Sequence, residues 1–88
     1  MRWSIDNFVQ AKELVGDVLE ELGLDNYRFE VEPDDHGSDA WRVRVECQGQ
    51  EGWKTTELHV DRAALEHSRH PKSDARLELL EAWRARLC

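Results

Sequence analysis

Between Tyr27 and Val60 the chain alternates apolar and polar residues in three short stretches, and a helical pattern flanks them on either side. In Tyr27-Arg28-Phe29-Glu30-Val31-Glu32 the odd positions are apolar and the even ones charged, the period of a strand with one buried face. Pro33 ends that run, because it has no N–H to give to a ladder. Asp34-Asp35-His36-Gly37-Ser38-Asp39 has the composition of a surface turn. Trp41-Arg42-Val43-Arg44-Val45-Glu46-Cys47 then repeats the odd-apolar pattern. Gln48-Gly49-Gln50-Glu51-Gly52 predicts a second turn, and it leads into a third strand from Trp53 to Val60 with Leu58 and Val60 facing inward.

The strand register follows from arithmetic, since directly opposed residues of an antiparallel pair share a face. Setting Val31 opposite Val43 places Phe29 against Val45 and Tyr27 against Cys47. On the outer face the same register sets Glu32 against Arg42, Glu30 against Arg44 and Arg28 against Glu46. All three pairs are opposite in sign. A turn over Gly49–Gly52 sets Val43 against Leu58 and Arg44 against Glu57.

Ile5, Phe8, Ala11, Val15, Val18, Leu19 and Leu22 recur at three- and four-residue spacing, which predicts an amphipathic first helix. Ser4 suits its N-cap, Asp6 its first turn, and Gly23 the left-handed position that ends it. Gly16 costs about 1 kcal/mol relative to alanine inside a helix, so a close neighbour is expected there. After the strands, Asp61 is positioned to cap a short helix over Arg62–His67. Pro71 breaks the pattern, and Ser73 or Asp74 caps a last helix in which Leu77, Leu80, Trp83, Arg84 and Leu87 align, with Leu79 at the margin.

The expected fold is therefore α+β, in the order α-β-β-β-α: a three-stranded antiparallel meander with both helices on one face and the last helix broken near Pro71. Eighty-eight residues make one domain, 1–88. A chain of that length buries roughly 60% of the surface its unfolded form exposes. Four tryptophans, Trp3, Trp41, Trp53 and Trp83, supply large apolar area for a core, an interface or both.

The net charge of −7 is unevenly spread. Residues 1–61 carry six basic against fifteen acidic side chains, and residues 62–88 carry six against four. An acidic body disfavours phosphate backbones, whose binding rests on Lys and Arg displacing counterions. No stretch reaches the ~20 apolar residues of a membrane span, and the first residues lack the apolar run of a signal peptide. Cys47 and Cys88 form neither a metal spacing nor a disulfide framework, which predicts free thiols and a cytoplasmic protein.

Constellations for catalysis are sparse. His67 and His70 lie three apart with Asp61, Glu66 and Asp74 near in sequence, but the approach to Pro71 spoils helical geometry, so no metal is assigned. The acidic turn lacks the ordered ligand spacing and closing Glu of a calcium loop. No phosphate loop, nucleophile elbow or Cys–His pair is present, and no cofactor is expected.

The helix–three strands–helix order resembles the double-stranded-RNA-binding domain over most of the chain. In that family a lysine cluster opens the second helix, where this chain has Asp61-Arg62-Ala63-Ala64-Leu65-Glu66. The resemblance therefore implies the fold order and not RNA binding. Leu22-Gly23-Leu24 at the end of the first helix is also similar to the acidic chaperones of bacterial type III secretion, which are longer and carry further strands.

The expectation is a small acidic protein-interaction module, an adaptor, regulator or chaperone-like protein without a catalytic site. Its partner is another protein with a basic surface or a second copy of the chain. Trp53 is the expected anchor, with Glu57, His59, Arg42 and Arg44 around it. The alternative is nucleic-acid binding through Arg69, Lys72, Arg76, Arg84 and Arg86, and the third reading is a small metal-dependent enzyme or subunit.

Overall fold

A computed structural model describes residues 5–24, 26–34 and 39–87. The expected capping residue Ser4, Trp3, the inner part of the acidic turn (35–38) and Cys88 lie outside the described residues. The chain runs α1 (Ile5–Leu22), β1 (Tyr27–Pro33), β2 (Ala40–Gly49), β3 (Gly52–Asp61), α2 (Arg62–His67) and α3 (Asp74–Arg86), with the strands side by side in the order β1-β2-β3.

Both predicted registers are present. Val31 faces Val43, Phe29 faces Val45 and Tyr27 faces Cys47, while Val43 faces Leu58 and Arg44 faces Glu57. Gly49 pairs with Gly52, and Gly52 takes φ +110°, so the hairpin places its left-handed residue where no side chain is strained. Gly23 has φ +71° and terminates α1 as expected.

The inward rows of all three strands, Val31, Trp41, Val43, Val45, Leu58 and Val60, join one core with Val15, Val18 and Leu19 of α1, Leu65 of α2 and Leu80 and Trp83 of α3. One face of the sheet is thus covered by helices and the other is polar. Gly16 faces Phe29: a Cβ built there would sit 3.4 Å from Phe29 Cζ, ordinary contact at its near limit. Gly16→Ala is therefore expected to raise stability by up to about 1 kcal/mol in urea denaturation, through helix propensity. A loss of stability would mean that the added methyl crowds the Phe29 ring.

The helices differ from expectation in three particulars. In α1 the buried stripe is Ala11, Leu14, Val15, Val18 and Leu19, while Ile5, Phe8 and Val9 are exposed and Leu22 is half-buried. The first turns of α1 lie too far out for the core to cover them, and only Phe8 reaches it, edge-on to Trp41 with ring centroids 6.3 Å apart. In α3 the buried stripe is Arg76, Leu80 and Trp83, continued by Leu87 at the C-cap, and Leu77 is 56% exposed. Asp61 occupies the N-cap position of α2, but its side chain makes no capping bond. The cap of α3 is Ser73, whose Oγ accepts from the Arg76 amide and whose one proton is shared between the carbonyls of His67 and His70, 3.0 and 2.9 Å away. That hydroxyl closes the break around Pro71.

The expectation of free thiols is corrected. Cys47 is 2% exposed at the end of the inward row of β2 and is disulfide-bonded. The chain's other cysteine, Cys88, lies outside the described residues. Sequence spacing does not register an approach made only by folding.

Candidate protein-binding surface

The outer face of the sheet carries alternate residues of each strand: Arg28, Glu30 and Glu32 on β1, Arg42, Arg44 and Glu46 on β2, and Trp53, Thr55, Glu57 and His59 on β3. The charges are largely satisfied within the face. Arg42 meets Glu32 at 2.9 Å and Arg28 meets Glu46 at 3.0 Å, with Arg44 and Glu30 at 4.0 Å. His59 lies between two carboxylates, its Nδ1 3.1 Å from Asp34 and its Nε2 3.4 Å from Glu57. Asp34 stands just past β1, so His59 ties the end of β3 across the sheet. Each exposed pair contributes about 0–1 kcal/mol, so the pairs set register more than they stabilise. A mosaic of paired charges also leaves little field for drawing in phosphates.

The five residues expected to bind protein fall into two groups. Arg42, Arg44, Glu57 and His59 form one block, since Arg42 is opposite His59 and Arg44 opposite Glu57. Trp53 lies apart, at the hairpin end, opposite Gln48. It is 54% exposed, and the Arg28 guanidinium lies over its ring at 5.2 Å from the centroid. Such a cation–π contact contributes about 0.5–1 kcal/mol at an exposed site. Beside it, Leu22, Leu24, Asn26, Gln48 and Lys54 line a broad open depression between the end of α1 and the hairpin tip. The pattern of neither strand alone signals the contact of Arg28 with Trp53. Carrying the register across all three strands reveals it: Arg28 faces Glu46, Glu46 faces Thr55, and Trp53 is the next residue on that face.

The alternative nucleic-acid set loses a member. Arg76 is 4% exposed and is a core residue: its Nε donates to the Ser68 carbonyl at 2.7 Å and its Nη1 meets Glu21 at 3.1 Å. Arg69 reaches Gln10 at 3.5 Å, while Lys72, Arg84 and Arg86 are exposed. The His67 carbonyl and the Nδ1 of His70 both serve the loop, the latter accepting from the Lys72 amide. Among the described residues no three His, Cys, Asp or Glu side chains gather as a metal site would require, and no helix is long and apolar enough to cross a membrane.

No known protein family model matches the chain, and comparison with curated proteins and with solved structures finds no match either.

Proposed function

We propose that this protein is a small interaction module that works by binding another protein, with Trp53 and the open edge of the sheet as its contact region. The observation that supports this most is Trp53 itself. A large aromatic, half exposed, lies under the Arg28 guanidinium next to a shallow depression of mixed polarity. Tryptophan and arginine are the residue types that carry binding energy at interfaces, and a rigid indole loses little entropy when covered. The self-neutralised outer face favours a protein over a nucleic acid, for which Lys72, Arg84 and Arg86 offer only a scattered positive edge.

The cytoplasmic placement expected from free thiols loses that support, because a disulfide at Cys47 suits an oxidising compartment. Trp53→Ala is expected to leave stability within about 0.5 kcal/mol of the parent, as surface substitutions do. It is also expected to abolish capture of the partner from a lysate of the native host by the immobilised full chain. An unchanged capture profile would defeat the assignment of Trp53.

A further inference from the structure

Gln48 faces Trp53 across the hairpin, and continuing the β1 register past Tyr27 sets Asn26 beside Gln48. These three side chains form a row on the outer face, spanning roughly 10 Å at a strand spacing of about 4.8 Å. Asn26 Nδ2 donates to Gln48 Oε1 at 2.9 Å. That bond orders both amides, yet the Asn26 oxygen and the Gln48 amino group keep unused acceptor and donor capacity among the described residues. All three residues line the depression at the hairpin end, with Gln50 at its tip and Leu22 and Leu24 beyond. Arg28 covers part of the indole but does not line the depression, and more than half of Trp53 stays exposed. The patch has no net charge: Arg28 is paired with Glu46 at 3.0 Å, and Glu51 offsets Lys54 among the lining residues.

An apolar surface laid over this row would strand the free amide groups, and buried polar atoms without partners are costly. A charged ligand finds no opposite charge to meet. The ligand that suits both parts has a flat apolar face for the indole and, at its rim, groups that donate and accept at once. A sugar ring of the glucose configuration has that chemistry. Its hydroxyls are equatorial, its axial hydrogens make both faces apolar, and two neighbouring hydroxyls match an amide's donor and acceptor. We propose that Trp53, Gln48 and Asn26 form a binding site for a neutral, glucose-configured saccharide, with one ring on the indole and the next over the amide pair. This rests on the reading of Trp53 as the contact residue and names what it touches on the partner, a glycan in place of bare polypeptide. The site is carried on paired strands and its amides are already bonded to each other, so little ordering is left for the ligand to impose.

The test follows the indole N–H resonance of Trp53, assigned by its loss in Trp53→Phe, while cellotetraose is added to the full chain. The resonance is expected to shift and saturate, together with the side-chain amides of Asn26 and Gln48. The affinity should not change with salt, because no net charge is met. Trp53→Ala is expected to weaken binding roughly tenfold or more, and Gln48→Ala several-fold, both in chains that stay folded. An unmoved Trp53 resonance at millimolar cellotetraose, or binding that survives Trp53→Ala, would overturn the proposal. Cellotetraose is also expected to displace a partner captured by the immobilised chain. Capture that needs Trp53 but ignores cellotetraose and deglycosylation would sink the glycan and leave the protein-binding role standing. Saturable cellotetraose binding with no protein captured would uphold the site, place its sugar on a free polysaccharide and remove the protein partner.

Discussion

Trp41→Ala is expected to remove most of the protein's stability. Trp41 is 2% exposed, opens the inward row of β2, faces Val60 of β3 and takes the edge of Phe8 from α1. No single neighbour can collapse into the space, because the walls come from the sheet and from α1, whose backbones are fixed by separate hydrogen-bond networks. Large-to-small changes at such sites cost about 3–5 kcal/mol, the lost transfer energy plus the cavity. A domain of this length has a total stability on the order of 4–13 kcal/mol. The midpoint of urea unfolding should fall steeply with an unchanged slope, or the chain should be unfolded in buffer. Trp53→Ala is the internal control, since it deletes the same side chain from water rather than from the core. If the two variants unfolded alike, the division between a core and a surface tryptophan would be wrong.

The second large effect is expected at Arg76. Its guanidinium spans from the Ser68 carbonyl, just after α2, to Glu21 on α1, and so ties three helical segments together from within α3. Arg76→Ala leaves a void and an orphaned carbonyl at Ser68, which is itself fully buried, for a cost of about 3 kcal/mol. Arg76→Met retains the volume, and the Glu21 carboxylate, 41% exposed, returns to water, so the cost should be smaller. Glu21→Gln should cost less than about 1 kcal/mol, because the amide oxygen can still accept and the lost charge was partly screened. Thermal unfolding of the three variants tests the order. A wild-type melting temperature for Arg76→Ala would show that the bridge does not hold α3 in place.

Arg76 also shows where reading the chain runs out. Leu80, Trp83 and Leu87 extend backward equally well to position 76, four residues before Leu80, or to 77, three before. Hydrophobicity selects Leu77; the fold selects Arg76, because a carbonyl on the α2–α3 loop and a carboxylate on α1 converge at that spot and satisfy the guanidinium. Neither partner is near Arg76 in the helix pattern, and Glu21 is 55 residues away. The exposure of Ile5 and Phe8 has the same origin: periodicity reports which side of a helix is apolar but not how far the sheet extends beneath it.

The strands were legible in full because their period of two and their cross-strand charges constrain each other. Any one-residue slip would bury Arg42, Arg44 and Glu30 and break the opposite-sign pairs, so pattern and pairing admit a single solution. The order of elements, the registers, the left-handed Gly23, the break at Pro71 and the outward placement of Trp53 all follow from such local rules. Tertiary structure alone decided the burial of Arg76, the link from His59 to Asp34, the unpartnered hydroxyl of Thr56 and the disulfide at Cys47. Each of these joins or isolates groups far apart in sequence, and their energies depend on approach and desolvation, which local pattern does not encode.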